Sequence, residues 1–157
     1  MASTPIFDDA NGHRLFSATC FNRVWEGLEA KQRTPEEDEI LIACCLASLW
    51  HWSQRPDCTR RNLSIGYWQA SRVYAVLGQA ENSLRYGELC LQISAGQEPF
   101  YLGYAYEALA RASALVGDES LRQKYVNCAM ELAAEVPHDE EREALLNDLA
   151  DLRSVRS

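Results

Sequence analysis

Apolar side chains return every three or four residues along almost the whole chain, and no stretch keeps the strict alternation of a half-buried strand. That pattern predicts an all-α fold. The spacing places helices at about 13–32, 35–54, 62–77, 80–95, 99–116, 119–135 and 139–152. Punctuation agrees with it. Thr34-Pro35-Glu36-Glu37 has the form of a capping box with proline at the first helical position, where its missing N–H costs nothing. Gly78, Gly96 and Gly117 stand where helices should end in a left-handed residue, Asp118 and Glu98-Pro99 open the helices that follow, and Asp139-Glu140-Glu141 begins the last. Connections of a few residues make successive helices antiparallel neighbours, apart from the longer link from Gln54 to Arg61. The expectation is a flexible N-terminus over residues 1–12 and one domain over 13–157, built from hairpins at about 13–54, 62–95 and 99–135 and a capping helix at 139–152.

The helices also repeat. A shift of 39 residues lays Tyr67, Ala70, Ser71, Tyr74, Leu77 and Gly78 on Tyr106, Leu109, Ala110, Ser113, Val116 and Gly117, and Tyr86 on Tyr125. At an offset of 49, Ala18, Phe21, Asn22 and Trp25 correspond more loosely. A large residue, small ones three and four later and an aromatic at seven describe a helix that packs closely against its hairpin partner. This spacing resembles the tetratricopeptide repeat, whose first helix carries W-x2-L-G-x2-Y and whose period is about 34 residues. The chain as a whole also looks like small bacterial helical-repeat proteins without an assigned activity, through phrases such as Ser71-Arg72-Val73-Tyr74 and Ala105-Tyr106-Glu107-Ala108-Leu109-Ala110-Arg111. The resemblance implies a short α-solenoid with a concave groove that binds protein or peptide partners. In the last helix Leu145, Leu146, Leu149 and Leu152 form one apolar stripe with acids opposite, the pattern of a solvating cap.

Composition narrows the partner. The 157 residues carry a net charge of −8, and Asp118 to Leu152 holds ten acids against three bases, so nucleic acid and anionic membranes are not the expected partners. Met1 to Gly12 lacks the basic start and apolar core of a secretory signal, and the apolar run Ile40 to Trp50 is too short to span a bilayer, which points to the cytoplasm. Six cysteines without C-x-x-C spacing then read as reduced, small core residues.

One arginine recurs at the middle of each groove-facing register: Arg23, Arg72 and Arg111. Guanidinium forks bind carboxylate or phosphate oxygens in pairs, and Trp68, Tyr104 and Glu107 share the face. The expected function is a scaffold or adaptor module whose groove takes an acidic segment or small anion. The competing reading pairs each arginine with a helical neighbour, for example Arg111 with Glu107 at i−4. A second alternative is self-association, a further copy filling the groove as a homodimer. A third is a metal or thiol sensor built on Cys44, Cys45, His51 and Cys58, but the paired short spacings of a closed zinc site are missing, and neither metal nor cofactor is expected. Catalytic motifs such as G-x-S-x-G, a phosphate loop or H-E-x-x-H are also missing, and the runs of acids begin helices, where they complement the dipole.

Overall fold

The computed structural model describes residues 9–153, and among them the chain forms seven helices and no strand. They are α1 (Asp9–Glu29), α2 (Pro35–Ser53), α3 (Arg60–Val76), α4 (Ala80–Ser94), α5 (Pro99–Leu115), α6 (Glu119–Glu135) and α7 (Asp139–Arg153). Two compact units divide between Cys58 and Thr59. The expected flexible N-terminus falls outside the described residues over 1–8, while Asp9 to Gly12 form the first turn of α1.

The first unit is the α1–α2 hairpin. Thr34 caps α2 as anticipated: its Oγ1 accepts from the Glu37 amide at 3.2 Å, and the Glu37 carboxylate accepts from the Thr34 amide at 2.7 Å. Val24, Leu41 and Cys45 are buried between the helices. The buried Ser48 hydroxyl donates to the Ser17 carbonyl at 2.8 Å, so this polar crossing is satisfied.

In the second unit each helix packs on the next, and α3, α5 and α7 also lie side by side with α4 and α6 behind them. That is a solenoid-like order. Thr59 caps α3 with Asn62 in the position a glutamate usually takes, and Gly78, Gly96 and Gly117 adopt φ of 71°, 76° and 73° at the helix ends where they were anticipated. Small residues set the crossings. Ser71 and Ser83 each donate a hydroxyl to the other's carbonyl, at 2.8 and 3.0 Å, which requires the α3 and α4 backbones to come close. The 39-residue repeat is visible in three dimensions, because Tyr67–Tyr86 and Tyr106–Tyr125 form closely similar ring pairs, with centroids 6.3 and 6.1 Å apart and planes at 33° and 29°.

The cap behaves as its stripe suggests. Leu145, Leu149 and Leu152 are buried with Ala110, Val126, Ala129 and Ala133 in one cluster. Arg122 closes that end, buried between α6 and α7, with Nε on Glu119 at 2.8 Å and Nη1 donating to the Leu152 carbonyl in the last turn of α7.

Candidate functional site

The repeat that builds the second unit also builds its polar centre. Trp68 and Glu107 are 39 residues apart, as are Arg72 and Arg111, so each pair occupies one register position on the neighbouring parallel helices α3 and α5. Glu107 is fully buried. Its carboxylate accepts from Trp68 Nε1 at 2.8 Å and from Arg111 Nε at 2.8 Å, with Arg111 Nη2 making a second bond and Arg72 Nη1 lying 3.5 Å away. Arg72 also faces Asp148 of α7 at 3.8 Å, and Tyr104 donates its hydroxyl to Asp148 at 3.0 Å. Burial, then the Asp148 charge, pushes the Tyr104 phenol well above its ordinary range, so it remains a proton donor. Two guanidiniums and two carboxylates are thus balanced inside the unit.

Five of the six residues singled out on the groove register therefore come together: Trp68, Arg72, Tyr104, Glu107 and Arg111. The sixth, Arg23, belongs to the first unit, where it is exposed, lines a cavity of about 350 Å³ with Glu26, Arg33 and Glu37, and forms no hydrogen bond or ion pair among the described residues. Arg111 takes the i−4 partner weighed for it. Arg72 reaches the same carboxylate from the adjacent helix.

Beside this cluster lies an apolar cleft of about 240 Å³, lined by Ser64, Ile65, Trp68, Phe100, Tyr101 and Tyr104. Its rings stand nearly at right angles in succession, with Trp68–Tyr104 at 73°, Phe100–Tyr104 at 76° and Phe100–Tyr101 at 84°. Ser64 is tied to Ser94 by a 2.7 Å hydroxyl pair. Sequence reasoning reached Trp68 and Tyr104 but missed Phe100, Tyr101 and Asp148. The signal was there for all three. Phe100 and Tyr101 stand four and three residues before Tyr104, on its helical face, and Asp148 falls between Leu145 and Leu152 on the apolar side of α7.

His51, considered with the cysteines, instead meets His13 of α1, their Nδ1 atoms 2.8 Å apart against Trp50 and Phe16. Among the described residues no group of three or more His, Cys, Asp or Glu is arranged to hold a metal ion. Burial raises the thiols of Cys45 to about 12 and Cys90 to about 11, which keeps both protonated and unreactive. The His51 pKa is lowered, first by desolvation and then by His13. A depressed histidine pKa means that the unfolded chain takes up the proton first. The hairpin's stability is therefore complete above the ordinary histidine range and falls as pH drops through it towards the lowered folded value. Thermal melts followed by tryptophan fluorescence should show a lower midpoint at about pH 5 than at about pH 7.5, and His13→Phe should reduce that difference. Equal pH sensitivity in the variant counts against the pair.

No protein-family model, curated protein or solved structure matches the chain.

Proposed function

We propose that the chain is a partner-binding module, a cytoplasmic scaffold or adaptor of tetratricopeptide-repeat type, that seats a segment of another protein in the α3–α5 cleft of its second unit. The aromatic lining of that cleft carries the reading. Trp and Tyr in a concave apolar site bury a large area at a small entropy cost, and such residues dominate binding energy where they are found at interfaces. A volume of about 240 Å³ suits a single side chain of a partner, below the roughly 300–1,000 Å³ that encloses a drug-sized ligand.

The same geometry bears on the partner's charge. An acidic segment drawn to Arg72 and Arg111 has to compete with Glu107 and Asp148, which already hold those guanidiniums at little exposure to water. In this reading the arginines support the cleft from behind and the rings meet the partner. The recurring tyrosine pairs and small crossing residues favour the tetratricopeptide-type architecture, although the 39-residue offset departs from that repeat's own period.

Peptides selected from a random display library on the purified protein provide the test. Phe100→Ala and Tyr101→Ala should each weaken the selected peptides by roughly tenfold or more. Selected binders indifferent to both substitutions would sink the reading. The rival reading, self-association, is favoured by the exposed Val76, Leu115 and Val116 at the C-terminal ends of α3 and α5. Light scattering across a range of concentrations separates the two, since a strict monomer leaves no second copy to cover that patch.

A further inference from the structure

We propose that the cleft is an aromatic cage for a methylated ammonium group, carried on a lysine side chain of a basic segment. The inference rests on the partner-binding reading and names the chemistry of its occupant. Three observations carry it.

The first is the wall geometry. Four of the six residues around the void are aromatic, with successive rings at 73–84° to one another, and the negative quadrupole of a ring face attracts a cation seated over it. Tyr101 already has a guanidinium within that reach, Arg61 lying 5.6 Å from its centroid.

The second is the disposal of polar atoms. Trp68 Nε1 donates to Glu107, the Tyr104 hydroxyl donates to Asp148, and the Ser64 and Ser94 hydroxyls share a hydrogen bond. A primary ammonium brings three N–H donors and would find among the lining side chains only the hydroxyl oxygens of Ser64, Tyr101 and Tyr104, with no carboxylate. A trimethylated one brings none, keeps its positive charge and presents methyl groups to the rings.

The third is the electrostatic surround. Phe100 and Tyr101 also wall an adjoining cavity of about 420 Å³, where Glu98, Glu135 and Glu141 outnumber Arg61 and His138. Arg61 is held by Glu98, with Nε 3.2 Å from the carboxylate, which leaves Glu135 and Glu141 to face the flanking positive charges of a basic segment. Arg72 and Arg111 do not oppose the cation as bare charges, because Glu107 and Asp148 offset them.

Isothermal titration of three short basic peptides decides the matter. They are identical except for one residue, which is trimethyl-lysine, lysine or the neutral tert-butyl isostere of trimethyl-lysine, in which carbon replaces the charged nitrogen. The trimethyl-lysine peptide should bind roughly tenfold more tightly than the isostere. Phe100→Leu and Tyr101→Leu keep apolar surface but remove a ring face, and should erase that difference while leaving the isostere's affinity nearly unchanged. Tetramethylammonium chloride should displace the peptide from the wild type where tert-butanol at the same concentration does not, a measurement that holds even if a leucine variant fails to fold. Equal affinity for trimethyl-lysine and isostere overturns the cage. Preference for an acidic peptide overturns it too. If none of the three peptides binds but library-selected apolar peptides occupy the cleft, the cage fails and the partner-binding reading survives; if neither kind binds, both fail.

Discussion

Replacing Glu107 with alanine should destabilise the second unit by about 3–5 kcal/mol, the usual consequence of removing one partner from a buried ion pair. The carboxylate is fully buried and is the common acceptor for Trp68, Arg111 and Arg72. Alanine removes the acceptor shared by the indole N–H and the Arg111 guanidinium, leaves Arg72 facing Asp148 alone, and opens a void. The arginine side chains keep 22% and 18% exposure, so both can turn partly to water, which moves the expected loss to the lower half of that range. Glu107→Gln preserves the shape and an acceptor for Trp68 while removing the charge, so it should cost less, about 1–3 kcal/mol. Urea unfolding measures both. A double-mutant cycle with Arg111→Met should give a coupling of about 1–3 kcal/mol, and strict additivity would mean that the pair contributes nothing as a pair. The consequence extends to the cleft, because the same carboxylate fixes the Trp68 ring that forms one of its walls.

Leu145→Ala should cost about 2–5 kcal/mol, as it deletes a fully buried side chain from the cluster that joins α7 to α5 and α6. Gly103 sits opposite. A Cβ built there would lie 2.6 Å from Leu145 Cδ2, so Gly103→Ala alone forces the leucine aside and should cost about 1–3 kcal/mol through overpacking. The two changes are complementary in space. The methyl group added at Gly103 can enter the volume vacated at Leu145, and the double variant should therefore lose about 0.5–3 kcal/mol less than the sum of the single losses. Additive thermal or urea data would show that Leu145 of the cap does not press on α5 at Gly103.

Hairpin punctuation was legible because capping is local. Thr34 with Glu37, and the three glycines with positive φ, satisfy helix ends using residues a few positions away, so the chemistry stands in the chain order itself. The apolar stripe of α7 was legible for the same kind of reason, since helical period alone places Leu145, Leu149 and Leu152 on one face. The start of α1 was less so. Asp9 to Gly12 lack an apolar stripe and were expected to belong to a flexible N-terminus, but they form the first turn of the helix. His13 and His51 are 38 residues apart, and nothing in the period of either helix announces that their rings meet.

The groove register picked out five residues that meet in space, and could not say what they faced. Arg111 and Glu107 lie four apart on one helix, so their pairing follows from helical geometry. Whether Arg72 would meet a ligand or Glu107 depended on how far α3 and α5 slide along each other, a shift of one turn being about 5.4 Å, which exceeds the reach of a hydrogen bond. By itself the sequence determined an all-α chain, its turns, the 39-residue repeat and the buried face of the last helix, because these depend on spacing within a helix or on residues at its ends. Only the tertiary structure decided that Trp68, Arg72 and Arg111 converge on one buried carboxylate and that Phe100 and Tyr101 complete a cleft beside it. Those contacts join residues of different helices, and their distances are set by the close approach of backbones that packing alone determines.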